Sequence, residues 1–189
     1  ITRDQITIYD ESGRVVTRPE TVSELSPEAA EKSGYRHFML KEIFTQPSAV
    51  SDTLEGRIEG GSVPDSIFGP DGTAVLDEVK SVTIVACGTS YHAGLVAKYW
   101  LEGMAGVPCS VEVASEYRYR QPVVTAGTLF VTISQSGETA DTLAALRSAQ
   151  ATGKVKSLAI CNVAESSLTR DSELVLMTRA GPEIGVAST

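Results

Sequence analysis

The sequence is poor in the residues that build disulfide frameworks and metal sites. Its 189 residues include three cysteines, Cys87, Cys109 and Cys161, and two histidines. The cysteines form no CxxC pair, and no neighbouring histidine suggests a zinc site. An odd number of widely spaced thiols in apolar surroundings is typical of a reducing compartment. We therefore predict a cytoplasmic chain with structural thiols and no bound metal.

Long apolar runs and a basic surface are also lacking. No apolar run approaches the roughly 18 residues of a membrane span. The formal net charge of −8 argues against a nucleic-acid footprint and against binding to anionic lipid. The charge is unevenly spread, because residues 1–80 carry −7 and residues 81–189 carry −1. The second segment is therefore the better place for an anionic small ligand.

Several motifs of nucleotide-binding proteins and hydrolases are absent. The sequence contains no GxxxxGK[ST] phosphate loop and no G-x-S-x-G nucleophile elbow. Gly88 and Gly94 lie six residues apart and do not form a GxGxxG motif. These absences exclude the common P-loop, dinucleotide and α/β-hydrolase sites.

Beyond residue 80 the sequence alternates between short apolar runs and helical segments. The pattern predicts strands over 82–86, 110–113, 128–133, 157–161 and 173–177, with helices over 90–105 and 139–152. Apolar strands that alternate with helices are typical of a parallel sheet covered on both faces. We predict an α/β fold, a doubly wound five-stranded parallel sheet flanked by helices.

The first 80 residues divide into three parts. Residues 1–16 have the pattern of a β-hairpin, with Gly13 in the turn. Residues 17–36 are charged and poor in apolar residues, which predicts a linker. Residues 37–56 have helical spacing, but Pro47 interrupts them, so we expect a kink or two helices that meet there.

Two loops after predicted strands have the same design. Cys87-Gly88-Thr89-Ser90 and the segment from Ser134 to Thr139, SQSGET, combine small hydroxyl residues with a glycine and lead directly into a helix. The first turn of a helix presents unpaired N–H groups and about half a positive charge. Such loops can bind a phosphate without a lysine. The alternative is that these hydroxyl residues only cap their helices.

These two loops resemble the sugar isomerase (SIS) domain. A narrower resemblance, to the family of glutamine–fructose-6-phosphate aminotransferases, comes from segments 114–120, 158–162 and 183–189. Segment 37–47 resembles the helix that opens the isomerase half of that family. The resemblance implies that residues 1–16 end a glutaminase domain, 17–36 connect the domains and 37–189 form the first SIS subdomain with its leading helix. It also implies a fragment that is inactive alone, because the glutaminase domain and the second SIS subdomain would be missing.

The same resemblance implies a substrate and the residues that hold it. The family converts fructose 6-phosphate and glutamine to glucosamine 6-phosphate and glutamate, works as a homodimer and needs no cofactor. Its phosphate-binding positions correspond here to Ser90, Ser134, Gln135, Ser136 and Thr139. Thr89 is expected to meet a sugar oxygen, and Val186, through its backbone, and Ser188 are expected to face the sugar ring. No catalytic residue of the family falls within this chain.

Some alternatives stay open at this point. A non-catalytic phosphosugar-sensing SIS module is the rival function, although the acidic segment before the sheet counts against a DNA-binding partner domain. Arg118 and Arg120 are phosphate clamps or, as we favour, interdomain or subunit salt bridges. Glu138 is expected to point away from the phosphate loop. We also expect residues 181–189 to be mobile or to be held only by a neighbouring chain, and so to have few contacts within this chain.

Overall fold

The computed structural model describes residues 1–20 and 31–185, and it begins with the predicted hairpin. Strands β1 (Ile8–Tyr9) and β2 (Val15–Val16) pair antiparallel, with Ile8 opposite Val16. The Asp10 carboxylate accepts hydrogen bonds from the N–H groups of Ser12 and Arg14, both at 2.9 Å. These bonds hold the turn, and Gly13 adopts the positive φ of +77° that the turn requires. The hairpin prediction is therefore confirmed.

Helix α1 (Phe38–Leu54) is one continuous helix with Pro47 inside it. The expectation of two helices meeting at Pro47 is wrong. A proline in a helix removes one N–H donor, and the remaining turns of α1 keep their bonds. The hydroxyls of Thr45 and Ser48 also donate to the carbonyls of Glu42 at 3.0 Å and Thr45 at 2.9 Å. A 3₁₀ turn (Asp65–Phe68) and helix α2 (Gly72–Asp77) follow.

The remaining elements form an α/β layer. Its strands are β3 (Ser81–Ala86), β4 (Cys109–Val113), β5 (Thr128–Ser134), β6 (Val155–Cys161) and β7 (Leu174–Met177). Its helices are α3 (Gly88–Trp100), which a π-helical turn extends over Leu101–Ala105, α4 (Ala114–Tyr119), α5 (Ala140–Gln150) and α6 (Ser167–Asp171). All neighbouring strands are parallel, in the order β4-β3-β5-β6-β7. The predicted five-stranded parallel sheet is confirmed.

The sheet is buried on both faces. Side chains alternate along β3, so that Ile84 belongs to one core cluster and Val85 to the other. On the Val85 face, Tyr117 of α4 packs edge to face on Phe130 of β5, with ring centroids 5.2 Å apart. On the Ile84 face, α3 approaches closely at Gly94, where an added Cβ would lie 3.0 Å from Ile84 Cγ2. Because both faces of the sheet are buried, the strands appear in the sequence as nearly continuous apolar runs.

The strand order places a crevice at the carboxyl edge of the sheet. From β3 the chain crosses to β4 on one side and then returns to β5 on the other side of β3. The loops after β3 and β5 therefore diverge, and ligands of open α/β sheets bind at such switch points. The two hydroxyl-rich loops of the sequence are these two loops. In the described part of the chain, no helix has the length and apolar character needed to cross a membrane.

Candidate functional site

A cleft of about 600 Å³ lies at this switch point. Helix α1 forms one wall, and the first turn of α3 together with the ends of β5 and β6 forms the floor. The predicted site residues that line it are Thr89, Ser90, Ser134 and Gln135. The fold thus brings the two hydroxyl-rich loops to one cavity, although 44 residues separate Ser90 from Ser134 in the sequence.

The first loop opens α3 without a side-chain cap. Cys87 is the N-cap residue, and no side chain accepts a hydrogen bond there. Gly88 adopts a φ of +56°, which an L side chain rarely reaches. The next residues, Thr89 and Ser90, therefore sit in the first helical turn, where N–H groups have no partner within the helix. Cys87 itself is half-buried and packs against the core, as a structural thiol does.

The second loop runs from the end of β5 into α5 and binds itself into a tight turn. The Ser134 hydroxyl oxygen accepts from the Gly137 N–H at 3.1 Å and lies 3.4 Å from the Thr139 hydroxyl oxygen. The Ser136 oxygen accepts from the Glu138 N–H at 3.2 Å. Because the Ser136 oxygen acts as an acceptor there, its proton can be donated to a ligand. Thr139 is the N-cap residue of α5, and that helix also lacks a side-chain cap bond.

Gly137 anchors the second loop on the neighbouring helix α6. Its carbonyl accepts from the Leu168 N–H at 3.0 Å, and its φ is +66°. An added Cβ would lie 2.1 Å from Ser166 Oγ and 2.8 Å from Cys161 Sγ. Only glycine fits at this position, so the shape of the loop depends on it.

Glu138 points away from the cleft, as expected. Its Oε1 accepts from the Ser167 N–H at 2.6 Å, at the first residue of α6. This hydrogen bond lowers the pKa of the Glu138 carboxyl from its usual value. The carboxylate therefore completes the start of α6 and does not face a phosphate at the second loop.

Arg118 and Arg120 both form ion pairs within the sheet layer. Arg118 lies 2.7 Å from the Asp141 carboxylate on α5, and Arg120 pairs with Glu112 on β4. Both arginines pair with carboxylates of the same chain here, and the expected interdomain or subunit salt bridges stay a prediction. Their partners come from the same chain because α4 follows β4 directly and packs beside α5.

The loop after β7 is tied to the cleft by side chains that the sequence analysis did not select. Asn162 accepts from the Ala180 N–H at 3.0 Å and donates to the Gly181 carbonyl at 2.7 Å. Glu42 of α1 accepts from the N–H groups of Ile184 and Gly185. The expectation of few contacts within the chain is therefore wrong for residues 181–185. No signal in the sequence links Glu42 to a loop more than 140 residues away.

The other predicted positions are distributed as follows. Ser136 and Thr139 belong to the second loop but do not line the cleft. Val186 and Ser188 lie outside the described residues. Within 1–20 and 31–185, no group of three or more His, Cys, Asp or Glu side chains is arranged to hold a metal ion.

Comparison with known proteins finds relatives that match the whole chain. The chain is 61% identical over its whole length to a protein of Pseudomonas putida named glutamine--fructose-6-phosphate aminotransferase [isomerizing], and 53% identical to the Escherichia coli K12 protein of the same name. It spans 31% of the length of each. A solved structure, the C-terminal domain of glucosamine-fructose-6-phosphate aminotransferase from Francisella tularensis, is similar with a TM-score of 0.81 and 54% identity. That similarity covers 85% of this chain and 45% of that one.

The family assignment rests on the part of the chain that contains the sheet and both loops. Residues 76–189 match the SIS domain. Since this match covers more than half of the chain, and the sheet has the predicted parallel order, the chain belongs to the SIS domain family.

Proposed function

We propose that this chain is the phosphosugar-binding part of an enzyme that converts fructose 6-phosphate and glutamine to glucosamine 6-phosphate and glutamate. The observation that carries the proposal is the cleft in which Thr89 and Ser90 meet Ser134 and Gln135. The names of the relatives support it, since their 53–61% identity extends over every residue of the chain. Those relatives are about three times as long as this chain, so the proposed enzyme is a larger protein. We propose that it works in the cytoplasm.

Each loop has a role in the proposed binding. The hydroxyls of Ser90, Ser134, Ser136 and Thr139, with the amide of Gln135, hold the phosphate. Two helix N-termini without side-chain caps, those of α3 and α5, add N–H donors and a favourable dipole. Thr89 meets a sugar oxygen, and Val186 and Ser188 face the ring. Fixing the phosphate in this way orients the ketone for attack.

The proposed reaction needs no metal, flavin or pyridoxal cofactor. Ammonia released from glutamine adds to the ketone, and a proton then moves between C1 and C2 of the sugar. The groups that move this proton belong to a second SIS subdomain in the longer enzyme, and the glutaminase domain supplies the ammonia. This chain positions the substrate between them.

Contacts with other domains and with a second copy of the chain are part of the proposal. Val96, Tyr99, Trp100 and Met104 of α3 and its π-helical extension share one face at helical spacing, and all four are exposed. Contiguous apolar patches of this kind mark interaction sites in soluble proteins. The exposed face of α3 supports assembly into a homodimer or with the other domains.

Calorimetric titration of this chain tests the binding function. We expect fructose 6-phosphate to bind, and fructose to bind far more weakly under the same conditions. Ser136→Ala should raise the Kd for fructose 6-phosphate about 5- to 30-fold, since one hydrogen bond to a charged group is lost. Ser148→Ala, an exposed serine on α5, is the matched control and should leave the Kd unchanged. Equal and weak binding of the sugar and its phosphate would rule out the assignment.

A further inference from the structure

Glu42 makes two hydrogen bonds that join the two halves of the cleft wall. Its Oε1 accepts from the Ile184 N–H at 2.7 Å and from the Gly185 N–H at 2.9 Å. Both bonds are charge-assisted, because the acceptor is a carboxylate. Since side chains on a helix point toward its N-terminus, Glu42 reaches back along α1 to this loop.

Gly185 fits closely against the first turn of α1. An added Cβ would lie 2.6 Å from the Met39 backbone nitrogen and 2.8 Å from Met39 Cα. Because backbone atoms cannot rotate aside, any side chain at this position would push the loop off the helix. The same Cβ would also lie 2.6 Å from Glu42 Oε2, so Glu42 and Gly185 hold one shared contact, by hydrogen bonds and by the absence of a side chain.

The rest of the loop is fastened at its beginning. The Arg179 N–H donates to the Thr53 hydroxyl at 3.0 Å, and the Arg179 guanidinium donates to the carbonyls of Asp52 and Glu55. Residues 179–185 therefore run along α1 from its last turns to its first. Gly181, Pro182 and Glu183 line the cleft between these two attachments. A shift at residues 184–185 consequently moves the wall of the cleft.

The second loop, Ser134–Thr139, is held by a different set of contacts from the loop after β7. The Ser134 hydroxyl oxygen accepts from the Gly137 N–H within the loop. The Gly137 carbonyl and the Glu138 carboxylate accept from the Leu168 and Ser167 N–H groups of α6. These contacts involve neither α1 nor residues 184–185.

Asn162 does link the second loop to the start of the loop after β7, because its N–H donates to the Gln135 carbonyl at 3.2 Å and its side chain bonds to Ala180 and Gly181. That link lies at the other end of the wall from Glu42. Moving the wall should therefore change how a sugar fits and leave the phosphate subsite in place.

We propose that Glu42 is a positioning residue that sets the selectivity of the cleft for the sugar part of its ligand. The inference rests on the proposed function and assigns a role to a side chain of the cleft wall that lies outside the two hydroxyl-rich loops. Glu42 acts through the loop of residues 181–185, and Gly185 is its necessary counterpart.

Titrations with fructose 6-phosphate and with inorganic phosphate test this role in the same chain. Glu42→Ala and Gly185→Ala should each raise the Kd for fructose 6-phosphate about 10-fold, while the Kd for inorganic phosphate changes less than about 2-fold. Glu42→Gln should stay within about 3-fold of the wild type, because an amide oxygen can still accept both N–H groups. Glu116→Ala, which removes an exposed carboxylate on α4, and Gly103→Ala, which has open space, are the matched controls and should change neither Kd.

A second measurement separates this inference from the proposed function. Amide hydrogen exchange at Ile184 and Gly185 should be at least about 10-fold faster in Glu42→Ala, with unchanged exchange in β5. Unchanged exchange at these two amides, or equal weakening of both ligands, would overturn the role of Glu42. Failure of the wild-type chain to bind fructose 6-phosphate would instead overturn the proposed function, and the exchange measurement would still judge the anchoring.

Discussion

At the scale of single residues, glycines allow the loops of the cleft to pack closely. They stand where the backbone lies too near another backbone segment or a buried side chain to leave room for a Cβ. Gly137 combines a positive φ with a position directly over Ser166 and Cys161. Gly153 has the same φ of +66° but open space around it. The pair therefore distinguishes the two reasons for a glycine, conformational freedom and lack of room.

Replacing Gly137 by alanine should destabilise the chain more than the same change at Gly153. Gly153→Ala should lower the free energy of unfolding by about 1 kcal/mol, from backbone strain alone. Gly137→Ala should lose a further ~2 kcal/mol, because the new methyl group overlaps Ser166. Urea unfolding of both variants measures the difference. Equal losses would mean that α6 can move aside at no cost.

At the scale of elements, short helices in this fold depend on side chains from elsewhere in the chain. Helix α6 has five residues, Ser167–Asp171, which is too short to be stable alone. The Ser166 hydroxyl caps it by accepting from the Thr169 N–H, and Glu138 accepts from the Ser167 N–H. Leu168 is fully buried and joins the helix to the core. The second loop and α6 therefore stabilise each other.

Glu138 should make part of this stability depend on pH. Its pKa is lowered in the folded chain from the usual 4.5, chiefly by the hydrogen bond from the Ser167 N–H. The stabilisation is therefore present above pH 4.5 and is lost as the pH falls through the folded-state pKa. Glu138→Gln should unfold at lower urea than the wild type at pH 7, and the difference should shrink as the pH falls below 4.5.

An exposed acid provides the comparison for that titration. Glu59→Gln removes one negative charge from an exposed turn that has no contact with α6. Its difference from the wild type should not show the same dependence on pH. A Glu138→Gln difference that does not shrink as the pH falls below 4.5 would show that shape, and not charge, is responsible.

At the scale of the whole molecule, segments that lie far apart in the sequence line one cavity. Helix α1 lies in the segment that carries a net charge of −7, and the sheet lies in the segment that carries −1. No residue of α1 is fully buried, so the helix contributes its surface to the cleft wall and little to the core. The proposed binding site thus lies at the interface between α1 and the sheet.

The chain alone should bind phosphosugar without producing an amino sugar. It spans 31% of the relatives named as aminotransferases, and the proposed roles of its residues are all in binding. Incubation with fructose 6-phosphate and either glutamine or ammonia should yield no glucosamine 6-phosphate by mass spectrometry. The full-length Pseudomonas putida relative, assayed in parallel, is the positive control. Product formed by the purified chain would contradict this prediction.

Local patterns in the sequence determined the sheet, the hairpin and both hydroxyl-rich loops. Strands buried on both faces are recognisable because burial favours apolar residues at successive positions, as at Leu129, Phe130 and Val131 of β5. The two loops are recognisable because each combines small hydroxyl residues with a glycine between a strand and a helix, as at Ser134–Thr139. Both signals arise within about ten residues, so they can be read without knowing the fold.

Only the tertiary structure decided which distant residues meet. The sequence predicted a kink or two helices that meet at Pro47, and the structure has one helix there, along which the loop after β7 packs. Arg118 and Arg120 have the chemistry of phosphate ligands, yet the placement of α4 gives them Asp141 and Glu112 as partners. Glu42 has no local pattern that distinguishes it from any other helix carboxylate. Its role follows from a contact across more than 140 residues, which depends on the order of strands in the sheet and on the chain returning to α1 after β7.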